Sequence, residues 1–313
     1  MKSFLPLLFL GVLMATPVLL PAKITRTVEK TFTVQPGGNL RASTQGGNIT
    51  IKTNDRAEVH VLIKQTMRTS SEQEADDILS KLVLKLEQSG NDVTIESKYE
   101  RSGPRNWFGN WPPVSVSFEI TVPKSYNLGL NTSGGNISVE SLVGNVHART
   151  SGGNLEFARI EGDIDAGTSG GNITLQEGTA HARLNTSGGN IHVDRAGGPT
   201  EVSTSGGDIE LRSVAQLISA STSGGDVHAV ITEPLRRDTE LGTSGGNVEV
   251  EVVPGAGFHL DAGTSGGNVK ASGVTITLEQ GANGKNKLVG AVNGGGPRLK
   301  LRTSGGDIVV RSK

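Results

Sequence analysis

The chain has 313 residues, with 30 Lys and Arg against 31 Asp and Glu, a formal net charge of −1, and no Cys. That balance gives no electrostatic case for nucleic acid, and the missing thiols exclude disulfides and a lipid-modified cysteine. Aromatics make up only 4% of residues while Gly numbers 44, so the core must be thin and built from small and medium side chains.

Residues 1–22 read as a secretory signal peptide. Met1-Lys2 is a short basic start, and Phe4 to Leu20 is almost wholly apolar. Cleavage after Ala22 is the expectation. Leu20 is not ideal in the minus-three place, which keeps an uncleaved anchor open. No other run nears the roughly 18 apolar residues of a membrane span. Residues 23–53 hold the first strands and an opening coil: Asn39 to Thr44 matches the later Asn145 to Thr150, and Gln45-Gly46-Gly47-Asn48 supplies a corner. Residues 54–114 read as a capping insert. Val59, Val61 and Ile63 alternate as a strand, and Ser71 with Glu74 resembles a capping box that opens a short helix to about Ser80. Leu82, Leu84 and Leu86, a turn at Ser89 to Asp92, then Val93 and Ile95 predict a hairpin.

Residues 115–313 are dominated by one phrase, Thr-Ser-Gly-Gly followed by Asn or Asp and an aliphatic residue. Its copies start at Thr132, Thr150, Thr168, Thr186, Thr204, Thr222, Thr243, Thr264 and Thr303, the first six 18 residues apart and the next two steps 21. A fixed period with a turn motif in every copy signals stacked repeats. Within one unit, Ile137 and Val139 alternate, Leu142 marks a bend, and Val146 and Ala148 alternate again, which gives two half-buried strands per coil. Corresponding positions stay apolar from coil to coil: Ile137 becomes Leu155, Ile173, Ile191, Ile209 and Val227. Stacked coils need parallel strands, whose crossovers are right-handed. The predicted fold is therefore all-β, a right-handed parallel β-helix of about 18–21 residues per coil with a small α+β N-terminal cap.

The corner residues are Gly134, Gly135 and Asn136; Gly152, Gly153 and Asn154; Gly170, Gly171 and Asn172; Gly188, Gly189 and Asn190. The expectation is that the glycines supply positive φ and that the Asn amides bond to one another along the stack. Asn283-Gly284-Lys285-Asn286 reads as a worn copy of the corner that divides the 39-residue gap before Thr303. Arg311 and Lys313 would then charge the last strand.

The Thr-Phe-Thr-Val start, the helix-and-hairpin insert and Phe118-Glu119-Ile120-Thr121-Val122-Pro123 leading into Gly-Gly-Asn repeats resemble a bacterial adhesin-like domain-of-unknown-function family, related to head-GIN auto-transporter adhesin domains. The resemblance covers residues ~28–313. It implies a secreted, periplasmic or surface-exposed β-solenoid and carries no catalytic motif.

Candidate sites lie where the repeat breaks. Trp107, Phe108 and Trp111 cluster in one loop and can either stack on a ligand or plug the end of the solenoid. Asp208 stacks on Asp226 where other coils have Asn, a weak cation candidate. Ser138, Glu156, Thr174, His192, Glu210 and His228 form an outward column, read as a solvated face, with metal ligation by His and Glu two coils apart as the alternative. Insertions at Ile231 to Asp238 and Val253 to Phe258 swell one edge, where Arg236 and Arg237 are candidate partner contacts. Acidic residues are scattered rather than paired, so the reading is a non-catalytic binding or structural module, with a polysaccharide lyase or hydrolase as the alternative. No cofactor is expected, and a surface glycan or an envelope protein is the partner class.

Overall fold

The computed structural model describes residues 23–100 and 112–312. The signal segment and Trp107, Phe108 and Trp111 lie outside them. Among the described residues are 26 strands and one helix, all strands joined in one hydrogen-bonded sheet that folds round on itself. No helix among them is long and apolar enough to cross a membrane.

The period-two alternation becomes two parallel faces. On one, Ile137 pairs with Leu155, Leu155 with Ile173, Ile173 with Ile191 and Ile191 with Ile209. On the other, Ala148 pairs with Ala166, Ala166 with Leu184 and Leu184 with Val202. These side chains are at most 2% exposed, so each coil buries several aliphatic residues between the faces. Each such residue contributes roughly 1.5–3 kcal/mol. At the bend, Ile160 sits over Leu142, Ala196 over Gly178, and Ile231 over Val214. Ile231 is therefore the core residue at the bend of the first swollen coil, after a register shift that follows Leu211.

Both ends of the stack change to antiparallel pairing. At the N-terminal end Val114–Pro123 lies parallel to Ile49–Asn54, then Glu58–Met67 and Ile24–Thr33 follow antiparallel. On the opposite face, the hairpin Leu82–Ser89 and Asp92–Tyr99 covers Asn39–Thr44. The Tyr126 hydroxyl donates to the Asn91 carbonyl and ties this hairpin to the coils. Burial of the ring pushes its phenol up to about 12. The helix Glu72–Leu79 starts at Ser71, whose side chain accepts from the Glu74 amide at 3.3 Å.

At the C-terminal end the coils do not stack in sequence order. The last strand, Ile308–Ser312, lies between Val248–Val252 and Val269–Ser272. On the other face Arg298–Thr303 lies between Thr239–Gly242 and Phe258–Thr264. The chain thus skips one level after Val252, builds the end, and returns to fill the gap. This corrects two expectations. Arg311 is on a strand flanked on both sides, not on a terminal edge. Asn283 to Asn286 is no extra coil but the tip of an antiparallel hairpin, Ile276–Gly284 with Lys287–Val292. The carbonyls of Lys285 and Asn286 accept from the Val269 and Thr264 amides, so the tip covers the last corner. The segment after Val252 climbs two levels, about 9.6 Å at the usual strand spacing, instead of one.

Candidate binding surface

The polar atoms of the repeated phrase are already engaged. Each buried Thr donates its hydroxyl to the carbonyl of the second Gly of the preceding corner: Thr150 to Gly135, Thr168 to Gly153, both at 2.9 Å, and Thr186 to Gly171 at 2.8 Å. The same oxygen accepts from the amide of its own second Gly, as Gly153 to Thr150 at 3.3 Å. Each Asn side-chain oxygen accepts from the backbone amide of the next corner: Asn136 from Asn154, Asn154 from Asn172 and Asn172 from Asn190, all at 2.8 Å.

Two expectations are revised by this geometry. The ladder runs from side chain to backbone rather than from amide to amide. It needs only one oxygen per level, and a carboxylate supplies that as well as an amide. Asp208 accepts from the Asp226 amide at 2.8 Å, and Asp226 from the Asn247 amide at 2.6 Å. The acidic step is thus a ladder variant, with one oxygen of each carboxylate spent on the stack. The glycines also have another reason than φ. None of the corner pairs lies in the positive-φ region. A Cβ on the second Gly would instead meet the carbonyl oxygen of the previous corner at 2.0 Å, as at Gly135, Gly153 and Gly171. A Cβ on the first Gly, at Gly152 or Gly170, meets nothing closer than 3.7 Å. Backbones packed that closely leave no room for a side chain at one position of the pair.

A second ladder, missed from the sequence, runs along the opposite corner. Asn127 accepts from the Asn145 amide at 3.0 Å, Asn145 from Asp163 at 2.9 Å, and Asp163 from His181 at 3.2 Å. The same 18-residue spacing was its only signal, since no Gly pair marks it. Beside it, a groove of about 590 Å³ crosses five coils. Gly129 leaves an opening in an outward column that otherwise carries Arg41, His147, Asp165 and Arg183. Asp165 binds Arg149 at 2.7 Å and His147 at 3.2 Å through Oδ2. Its Oδ1 is buried without a hydrogen-bond partner. Burial raises the Asp165 carboxyl, but Arg149 and His147 outweigh it and hold the group below its ordinary range. His181 Nε2 lies 3.4 Å from Glu201, within ion-pair range but misaligned for a hydrogen bond.

The outward column on the other face is paired, not idle. His192 lies between Glu210 at 3.0 Å and Asp194 at 2.8 Å, and Arg212 bridges the same two carboxylates. The hydrogen bond from His192 lowers the Asp194 carboxyl, and that from Arg212 lowers Glu210. On the swollen edge, Arg236 is exposed and pairs with Glu233 at 2.8 Å, and Arg237 is exposed beside it.

The Toastrack DUF4097 family model matches residues 38–311. The chain belongs to that family. No curated protein matches it. Among solved structures, this Toastrack chain is similar to a "putative adhesin" from Bacteroides fragilis at 15% identity, covering 92% of this chain and 97% of the other, with a TM-score of 0.43. A "putative lipid binding protein" from Parabacteroides distasonis matches at 14% identity, 91% and 96% coverage and a TM-score of 0.41. A "putative cell adhesion protein" from Clostridium sporogenes matches at 14% identity, 92% and 100% coverage and a TM-score of 0.23.

Proposed function

We propose that this Toastrack chain is a secreted or envelope-associated binding module, wound as a right-handed β-helix, that recognises a surface glycan or an envelope protein without catalysis. One observation carries the reading: the Thr, Gly and Asn groups of the nine-fold motif are engaged in holding coil to coil, as at Thr168, Gly153 and Asn154. The repeat is then a scaffold, and recognition falls to the features it displays. The groove beside Gly129 is lined by His147, Asp165 and Arg183, a run of polar side chains that suits a hydroxyl-rich ligand. The segment holding Trp107, Phe108 and Trp111 supplies aromatic faces for stacking, and Arg236 and Arg237 add exposed cations. The alternative, a polysaccharide-active enzyme, would need a pair of carboxylates facing one scissile bond.

The test is a glycan and cell-wall binding panel with residues 23–313. Trp107→Ala with Trp111→Ala, and separately Asp165→Asn, should leave the fold intact and reduce binding. Turnover of a polysaccharide, abolished by one Asp or Glu change, would replace this reading with the enzymatic one.

A further inference from the structure

We infer that His228, Glu249 and Glu251 form a site for a divalent transition-metal ion on the outer face of the coils. One ligand atom from each of the three side chains lies within 4.8 Å of the others, and all three residues are half-buried. The sequence explains the placement. Val248-Glu249-Val250-Glu251-Val252 alternates strictly, with the three valines in the core, so both carboxylates leave the same face. His228 lies directly opposite Glu249 on the neighbouring parallel strand.

A second observation separates His228 from the chain's other histidines. The chain has six. His60, His147, His181, His192 and His259 each have a carboxylate within 3.4 Å. The His228 side chain has no ion pair or hydrogen-bond partner among the described residues, although Glu210 flanks it on one side and Glu249 on the other. Its imidazole is therefore uncommitted where two further donors converge. Arg311, on the inserted last strand, pairs with Glu249 Oε1, which orients that carboxylate and leaves Oε2 to bind. An outer partner of this kind is usual for metal-binding carboxylates.

One imidazole nitrogen and two carboxylate oxygens favour zinc or a neighbouring transition ion over calcium or magnesium, which take oxygen alone. Bond lengths of about 2.0–2.2 Å place tetrahedral ligands roughly 3.4 Å apart, against a spacing of no more than 4.8 Å here. Three protein ligands on a solvent-facing surface leave a fourth position open for a donor from a partner.

The test is titration of zinc into residues 23–313, read by calorimetry and by thermal shift. The expected result is one saturable site and a zinc-dependent rise in melting temperature, neither abolished by excess magnesium. His228→Ala and Glu251→Gln should each weaken binding at least tenfold while circular dichroism stays unchanged. His192→Ala, on the same face but already paired, should bind like the parent. No saturable binding up to about 1 mM zinc, or a His228→Ala variant that binds like the parent, overturns the assignment.

Discussion

Replacing adjacent glycines of one corner should have opposite effects. In Gly171→Ala the new Cβ would lie 2.0 Å from the Gly153 carbonyl oxygen and 2.4 Å from its carbon. Both are backbone atoms of the coil below, fixed by the Asn154 ladder and by the Thr168 hydroxyl on that same carbonyl. Neither can turn aside, so the corners must part by more than an ångström and stretch those bonds. Overpacking of this sort costs about 1–3 kcal/mol, and a backbone-on-backbone clash belongs at or above the top of that range. In Gly170→Ala the nearest atoms are at 3.7 Å, an ordinary contact. There the loss of unfolded-state freedom should stabilise by about 0.4–1 kcal/mol. Guanidinium unfolding followed by circular dichroism should show the midpoint falling for Gly171→Ala and holding or rising for Gly170→Ala. If both variants lose stability equally, the glycines serve the turn conformation and the close-approach explanation fails.

The other interactions lead to further expectations. Thr168→Val keeps the shape but strips the Gly153 carbonyl of its hydroxyl donor, which should cost about 1–3 kcal/mol in the same unfolding assay, whereas Thr168→Ser should recover most of it. Asp226→Asn should be close to neutral because the ladder needs one oxygen, while Asp226→Ala should cost about 1 kcal/mol. At the C-terminal end, Asp261 is only 12% exposed and binds Arg298 at 2.6 Å and Arg302 at 2.7 Å. Burial raises its carboxyl, but the two guanidinium groups outweigh that and hold it below its ordinary range. A depressed folded-state pKa contributes stability that is present above the unfolded value of about 4 and lost as pH falls through the folded value. Asp261→Asn should therefore lower the melting temperature near neutral pH and flatten the acid limb of the stability curve. An unchanged acid limb would remove Asp261 from the account.

The coils were legible because one face of each strand is buried. Ile137, Leu155 and Ile173 stay aliphatic while their neighbours vary, and that pattern alone fixes strands, period and stacking register. The cause of each corner residue was not legible. A Gly pair looks the same whether it serves positive φ or close approach, and an Asn looks the same whether it bonds an amide side chain or a backbone N–H. The order of the last coils was hidden for a related reason. Thr303-Ser304-Gly305-Gly306-Asp307 announces a corner but not which corners it lies between, and the 21-residue step that skips a level is no longer than the 21-residue step before it, which skips none. The carboxylates beside His228 escaped because the outward column was followed at the 18-residue period. The partners Glu249 and Glu251 come one coil later, after a step of 21.

The most direct test of this architecture is the placement of the final coil, since it joins Arg311 to Glu249 and sets the order of the C-terminal stack. The chain has no cysteine, so disulfides can be introduced cleanly. Val309 is the register partner of Glu249 on one side and of Lys270 on the other. Cysteines replacing Glu249 and Val309 would be one strand apart, about 4.8 Å, within bridging range, while cysteines replacing Glu249 and Lys270 would be two strands apart, about 9.6 Å, beyond it. Oxidation should cross-link Glu249→Cys/Val309→Cys and leave Glu249→Cys/Lys270→Cys reduced. Cross-linking of the second pair and not the first would mean that the coils stack in sequence order, and would contradict the structure.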